Sequence, residues 1–143
     1  MVLTTDNKSI ELTYSTRNVV KMLDALGTND IKAIVFDGLN KMDSRKLAVI
    51  IQQLASPRTY SVSEIYDFID EYKANHGCSI KEIYTDIIND LNENYFFDRK
   101  MTPEELAEVM HNPLATSMDD VVTQAVKDVV GKIAAEAITA PLT

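Results

Sequence analysis

Most of this chain places apolar residues at the spacing of one face of an α-helix. The cleanest case begins after Ser79, where apolar residues recur at helical offsets. These positions are Ile80, Ile83, Tyr84, Ile87, Ile88 and Leu91. Similar stripes follow Ser15, Asp30, Asp43 and Ser61, which are residue types that cap the first turn of a helix. The pattern predicts a succession of short helices.

The sequence also marks where several of these helices begin and end. Gly27 and Gly77 can supply the left-handed residue that ends a helix. Ser61, Ser79 and Thr102 each precede a Glu by three positions, which predicts three capping boxes. The predicted apolar stripes are Val19, Val20, Leu23 and Leu26 in the first helix, and Val62, Ile65, Tyr66, Ile69 and Tyr72 in the helix after Ser61.

The first residues alternate with the period of a β-strand instead. Val2–Thr5 and Ile10–Tyr14 are short extended segments, and the turn residues between them, Asp6 to Ser9, predict a β-hairpin. A lone hairpin is marginal in water, so its apolar face must pack on helices. The segment Leu47 to Leu54 has almost no polar face and is expected to be the most buried helix.

The pattern changes near the C-terminal end. From Asp119 to Ile138 apolar residues come in pairs every four positions, which predicts a long helix with a winding apolar seam. Gly131 and the β-branched residues lower its helix propensity, so packing against another surface must hold it. We expect a mainly α fold: a compact multi-helix core domain at 1–110 with the short N-terminal β-hairpin, a linker at 111–117, and a C-terminal helix and tail at 118–143.

Charge narrows the classes of partner. The 143 residues carry a net charge of −8, and residues 77–143 hold five Lys or Arg against twelve Asp or Glu. This balance lacks the basic footprint of a nucleic-acid-binding protein. The single cysteine, Cys78, and the absence of a signal sequence or a membrane-spanning apolar run predict a cytoplasmic protein with no membrane partner.

Candidate catalytic and metal-binding residues are poorly grouped. His76 and Cys78 lie two positions apart, but zinc needs about four ligands and His111 is the only other His. The set Asp90, Asn92, Asn94 and Asp98 has part of the spacing of a calcium loop but lacks its glycine and its final glutamate. No nucleotide-binding loop or nucleophile elbow occurs. We therefore expect no cofactor, no metal and no enzymatic activity.

Rows of carboxylates mark two predicted helix faces. They are Glu82, Asp86 and Asp90 on one helix, and Asp67, Asp70 and Glu71 on another. Solvated outer faces explain both rows, but they also permit a small acidic regulatory protein that sequesters a basic or DNA-binding partner. Five tyrosines could be rim residues of the core or an aromatic recognition surface: Tyr60, Tyr66, Tyr72, Tyr84 and Tyr95.

The order of elements resembles the small tail assembly chaperones of long-tailed bacteriophages. The hairpin that runs directly into a helix at Ile10–Asp24, the apolar helix Leu47–Leu54 and the hydroxyl-capped helix Tyr60–Asp70 carry the resemblance, which covers about residues 8–110. It implies a protein that binds the tape-measure protein, keeps it soluble, and helps to recruit tail-tube subunits. It also implies action in the cytoplasm of the bacterial host and absence from the mature virion.

A chaperone of this kind needs an apolar surface for its partner. The predicted partner-binding stripe on the C-terminal helix comprises Val122, Val126, Val129, Val130 and Ile133, beside the acidic residues Asp119, Asp120 and Asp128. Two other uses of the stripe stay open at this point: the helix could fold back onto its own core, or it could join copies of the chain as a homo-oligomer.

Overall fold

The computed structural model describes residues 1–111, and within this range the chain forms two β-strands and six α-helices. Their bounds are β1 Val2–Thr4, β2 Ser9–Glu11, α1 Thr16–Leu26, α2 Gly38–Lys41, α3 Ser44–Leu54, α4 Val62–His76, α5 Ile80–Glu93 and α6 Pro103–His111. The predicted mainly α class with an N-terminal hairpin is confirmed. No helix among the described residues is long and apolar enough to cross a bilayer. Nearly all of the predicted linker, and the C-terminal helix, lie outside these residues.

The hairpin packs on the helices through its apolar face. The strands β1 and β2 are antiparallel, with Leu3 opposite Ile10, and both side chains are buried. Leu12 continues the alternation and forms a bridge with Ala55, just after α3. At the turn, the Asp6 amide donates to Asn75 Oδ1 of α4 at 2.7 Å. The expectation that the hairpin must be covered by helices is therefore met.

Helix α3 forms the centre of the core, as its lack of a polar face predicts. Leu47, Ile50, Ile51 and Leu54 are fully buried, and α3 contacts α1, α4 and α5. Every residue of the predicted α5 stripe is buried as well. Burial of so many branched apolar side chains supplies the main driving force for folding.

Two of the predicted stripes are displaced by one position. Val20 is 46% exposed, and Met22 is fully buried in α1. Tyr66 is 40% exposed, and Phe68 takes the buried position in α4. Because one residue turns a helix by about 100°, Val20 and Tyr66 stand at the edge of each stripe and face solvent. The prediction that both belong to the buried stripes is wrong.

The segment before α3 contains a π-helical turn that the pattern did not predict. Asp30 caps the segment through its side chain, as expected, and Ala33–Asp37 adopts π geometry before the chain enters α2 at Gly38. The Tyr84 ring of α5 packs against Gly38, and the Tyr84 hydroxyl donates to the carbonyl of Asp43 at 2.6 Å. Helix α2 is thereby held directly against α5.

One of the three predicted capping boxes forms completely. At the start of α5, the Ser79 side chain accepts from the Glu82 backbone amide, and the Glu82 side chain accepts from the Ser79 backbone amide. Ser61 accepts from the Glu64 amide at 3.1 Å, which is half of a box. Thr102 likewise accepts from the Glu105 amide, but the Glu105 carboxylate pairs with Arg99. The complete box fixes the start of α5, the helix that lines both grooves described below.

Candidate functional site

A buried side chain of α5 holds the segment that leads into α6. Asn92 is 2% exposed; its Nδ2 donates to the carbonyl of Met101 at 2.9 Å, and its Oδ1 accepts from the Met101 amide at 2.8 Å. This amide pair reproduces the double hydrogen bond of two facing strand residues. It holds the residue that precedes α6 by two positions, and so determines where α6 packs.

An open groove lies between α5 and α6, which we call the α5–α6 groove. Its volume is about 470 Å³ and its surface is mainly apolar. It is lined by Asn89, Asn92, Glu93, Lys100, Met101, Thr102, Pro103, Leu106 and Met110. This size falls within the range of small ligand sites and of pockets for single anchoring side chains.

An exposed aromatic ring lies beside Lys100, one of the residues that line the α5–α6 groove. Tyr95 is 71% exposed and adopts a left-handed φ of 61°, a conformation that is unfavourable for a bulky residue. Lys100 Nζ lies 5.6 Å from the centre of that ring and 3.1 Å from a carboxylate oxygen of Glu93. The hydrogen bond to Glu93 raises the pKa of Lys100, so this cation stays charged at the rim.

A second groove, the α2–α5 groove, lies beside the first half of α5. Its volume is about 350 Å³, and it is lined by Leu39, Asn40, Lys81, Glu82, Thr85, Asp86 and Met110. Met110 therefore lines both grooves. The α5 residues of the two grooves lie along one side of that helix, from Lys81 to Glu93, a length of about 18 Å. A track of this length accommodates three turns of a partner helix.

The α2–α5 groove has an acidic edge. Partial burial, then the neighbouring charges of Asp90 and Glu82, raise the pKa of Asp86. The hydrogen bonds from Ser79 lower the pKa of Glu82, which keeps that carboxylate ionised. The buried Tyr14 hydroxyl lies near Asp90, and burial raises the pKa of Tyr14. Lys81 also lines this groove, but the two carboxylates outnumber it, so the potential along this edge is negative.

The predicted partner-binding stripe, Val122, Val126, Val129, Val130 and Ile133, lies outside the described residues. The sequence does not predict the grooves, because Leu39 and Met110 have the spacing of ordinary core residues and their position beside a groove depends on the fold. Of the five tyrosines, Tyr84 is buried, Tyr60 and Tyr72 are half-buried, and only Tyr66 and Tyr95 are exposed. Exposed Tyr95 beside Lys100 is the part of this set that belongs to a candidate surface.

The other candidate residues have separate structural partners. The His76 ring donates from Nε2 to the carbonyl of Thr4 at 2.7 Å, which ties α4 to β1. Burial raises the pKa of the Cys78 thiol, so the thiol stays protonated. Within residues 1–111, no group of three or more His, Cys, Asp or Glu side chains is arranged to hold a metal ion.

The set that resembled a calcium loop is dispersed. Asn92 holds Met101, Asp98 pairs with Lys32 at 2.8 Å, and the Asn94 side chain donates to the Asp90 carbonyl. These side chains therefore serve the local structure at the end of α5 and the loop that follows it.

Comparisons of the chain with protein-family models, with curated proteins and with solved structures find no match.

Proposed function

We propose that this chain is a phage tail assembly chaperone that binds the tape-measure protein and keeps it soluble during tail assembly. The observation that carries the proposal is the pair of open grooves that meet at Met110. Together they offer a helical partner apolar side chains from α2 and from the α6 segment, Met110 above all, beside the polar face of α5. The resemblance of residues 8–110 to such chaperones supplies the identity of the partner, and we extend the proposal to help in recruiting tail-tube subunits.

Helix recognition accounts for how such a chaperone would act. A long helical protein that lacks its final partners exposes apolar stripes, and these stripes associate with one another. A groove that buries one stripe removes that surface from aggregation. The net charge of −8 on this chain favours solubility of the complex. No bond is made or broken in this mechanism, and the proposal includes no cofactor.

Co-expression tests this function directly. The chain is expected to raise the soluble yield of the tape-measure protein severalfold, and Val126→Asp combined with Val130→Asp is expected to abolish the gain. A carboxylate in the stripe would have to be desolvated when the partner binds, which is unfavourable. Val20→Asp is the matched control, because Val20 is an exposed valine on α1 and is no part of the stripe.

The outcomes separate the function from the stripe. No gain in soluble yield with the unmodified chain would contradict the chaperone function. An equal gain with the double variant would exclude the stripe as the partner-binding surface. Loss of the gain with Val20→Asp would show that an added carboxylate abolishes the gain even outside the stripe. Circular dichroism of each variant verifies that the helical content of the chain is retained.

The exposed carboxylate rows favour a second candidate, the small acidic regulatory protein. Glu82 and Asp86 lie on the surface of α5, and Asp67 lies on that of α4. Binding of a basic partner through these rows alone would weaken steeply as salt screens the charges. Binding through buried apolar surface persists at high salt, so the salt dependence of partner affinity decides between the two functions.

A further inference from the structure

The α2–α5 groove combines an apolar floor with acceptors for a cation. Met110 is half-buried and supplies apolar surface, Leu39 adds the small part of its side chain that is exposed, and the carboxylates of Glu82 and Asp86 stand one helical turn apart at the edge. The Thr85 hydroxyl already donates to the Lys81 carbonyl at 2.8 Å. Lys81 is the cation on this edge, and it is outnumbered by the two carboxylates. The groove therefore favours a ligand that is both apolar and positively charged.

We propose that the α2–α5 groove binds a cationic amphipathic helix of the partner protein, with an apolar side chain on Leu39 and Met110 and a Lys or Arg between Glu82 and Asp86. This inference rests on the proposed function for the identity of the partner, and it adds the chemistry of the segment that is bound. A helix places residues three and four apart on one side, so one segment can present both groups.

The charge distribution around Asp86 supports this choice of ligand. Asp86 faces Glu82 and Asp90 on its own helix, and the neighbouring phenols of Tyr14 and Tyr72 bring no positive charge. A second anion beside Asp86 would add repulsion, whereas a cation removes it. Complementary charge of this kind chiefly selects the partner, and burial of the apolar side chain supplies most of the affinity.

Peptide binding tests the inference with the full chain. The probe is a fluorescein-labelled amphipathic helix of about 18 residues, long enough to hold helical structure in water, with Leu on one face and Lys one turn from each Leu. Its twin carries Glu at the Lys positions. We expect the Lys peptide to bind about tenfold more tightly than the Glu peptide, as measured by fluorescence anisotropy.

Two substitutions of equal charge locate the site. Asp86→Lys is expected to weaken binding of the Lys peptide about tenfold, whereas Asp67→Lys is expected to change it less than about twofold. Both positions are exposed, so both variants are expected to fold. Equal loss in the two variants, no loss in Asp86→Lys, or equal affinity for the two peptides would each overturn the inference.

These results are distinguishable from failure of the proposed function. If co-expression still raises the soluble yield of the tape-measure protein but Asp86→Lys binds the Lys peptide normally, the chaperone function stands and the groove assignment is wrong. If the peptide results hold but co-expression gives no gain, the groove binds a cationic helix of some other protein.

Discussion

Replacing Asn92 with alanine is expected to lower the free energy of unfolding by about 2 to 4 kcal/mol. The side chain holds both the amide and the carbonyl of Met101, and the surroundings are buried. Alanine would leave both backbone groups without a partner, and each such group costs about 1 to 3 kcal/mol. The loss should appear in urea unfolding as a lower midpoint with an unchanged slope.

The neighbouring residue Asn89 provides the matched control. It is an exposed asparagine one turn earlier on α5, so Asn89→Ala should change the free energy of unfolding by less than about 0.5 kcal/mol. A change below about 1 kcal/mol in Asn92→Ala would show that Met101 finds other hydrogen-bond partners. The attachment of α6 would then depend on Leu106 and Val109, the buried apolar residues of that helix.

Gly38→Ala is expected to be destabilising by about 1 to 2 kcal/mol, although alanine normally favours a helix. Gly38 has helical dihedral angles, so the substitution alone would add about 1 kcal/mol of stability. A Cβ at this position would lie 2.6 Å from the Tyr84 hydroxyl oxygen and 2.8 Å from its ring. Tyr84 is fully buried and its hydroxyl is bonded to Asp43, so the ring cannot easily move.

A double-mutant cycle isolates this overlap. In a Tyr84→Leu background the ring and hydroxyl are gone, and Gly38→Ala should then be neutral or stabilising. Thermal unfolding of the four proteins measures the coupling. If Gly38→Ala changes the stability in the same direction with and without the Tyr84 ring, the contact between α2 and α5 is not the reason why glycine is needed at this position.

The sequence predicts those parts of the fold that depend only on residues close together in the chain. Ser79 and Glu82 form their capping box, and Gly27 ends α1 with a φ of 68°, because both depend on neighbours along the chain. The apolar face of α5 is likewise independent of which element covers it. Such features follow from helix geometry alone.

The features that failed depend on contacts between distant segments. The pattern places Val20 in the core because it does not reveal how far α1 is rotated about its axis. Asn18, on the adjacent face, is buried because its side chain donates to the carbonyls of Thr13 and Leu54. The π turn before Gly38 similarly accompanies the packing of Tyr84, which lies far along the chain.

The grooves could not be predicted for the same reason. Met110 and Leu39 come from segments far apart in sequence, and Asn92 brings α6 to the position where Met110 can line both grooves. The partner-binding stripe at Val122–Ile133 stays a prediction, because it lies beyond the described residues. The sequence identifies Tyr95 and Tyr84 alike as candidate tyrosines, but it does not reveal that Tyr95 is exposed and Tyr84 is buried.

The central claim is that this chain acts by presenting an apolar helical surface near Met110 to another polypeptide. The most direct measurement is a methyl NMR titration of the full chain with a helical segment of the tape-measure protein. We expect the methyl signals of Leu39 and Met110 to shift, and those of Leu3 in the hairpin to stay in place. Unchanged signals from Leu39 and Met110 at saturation would contradict the claim.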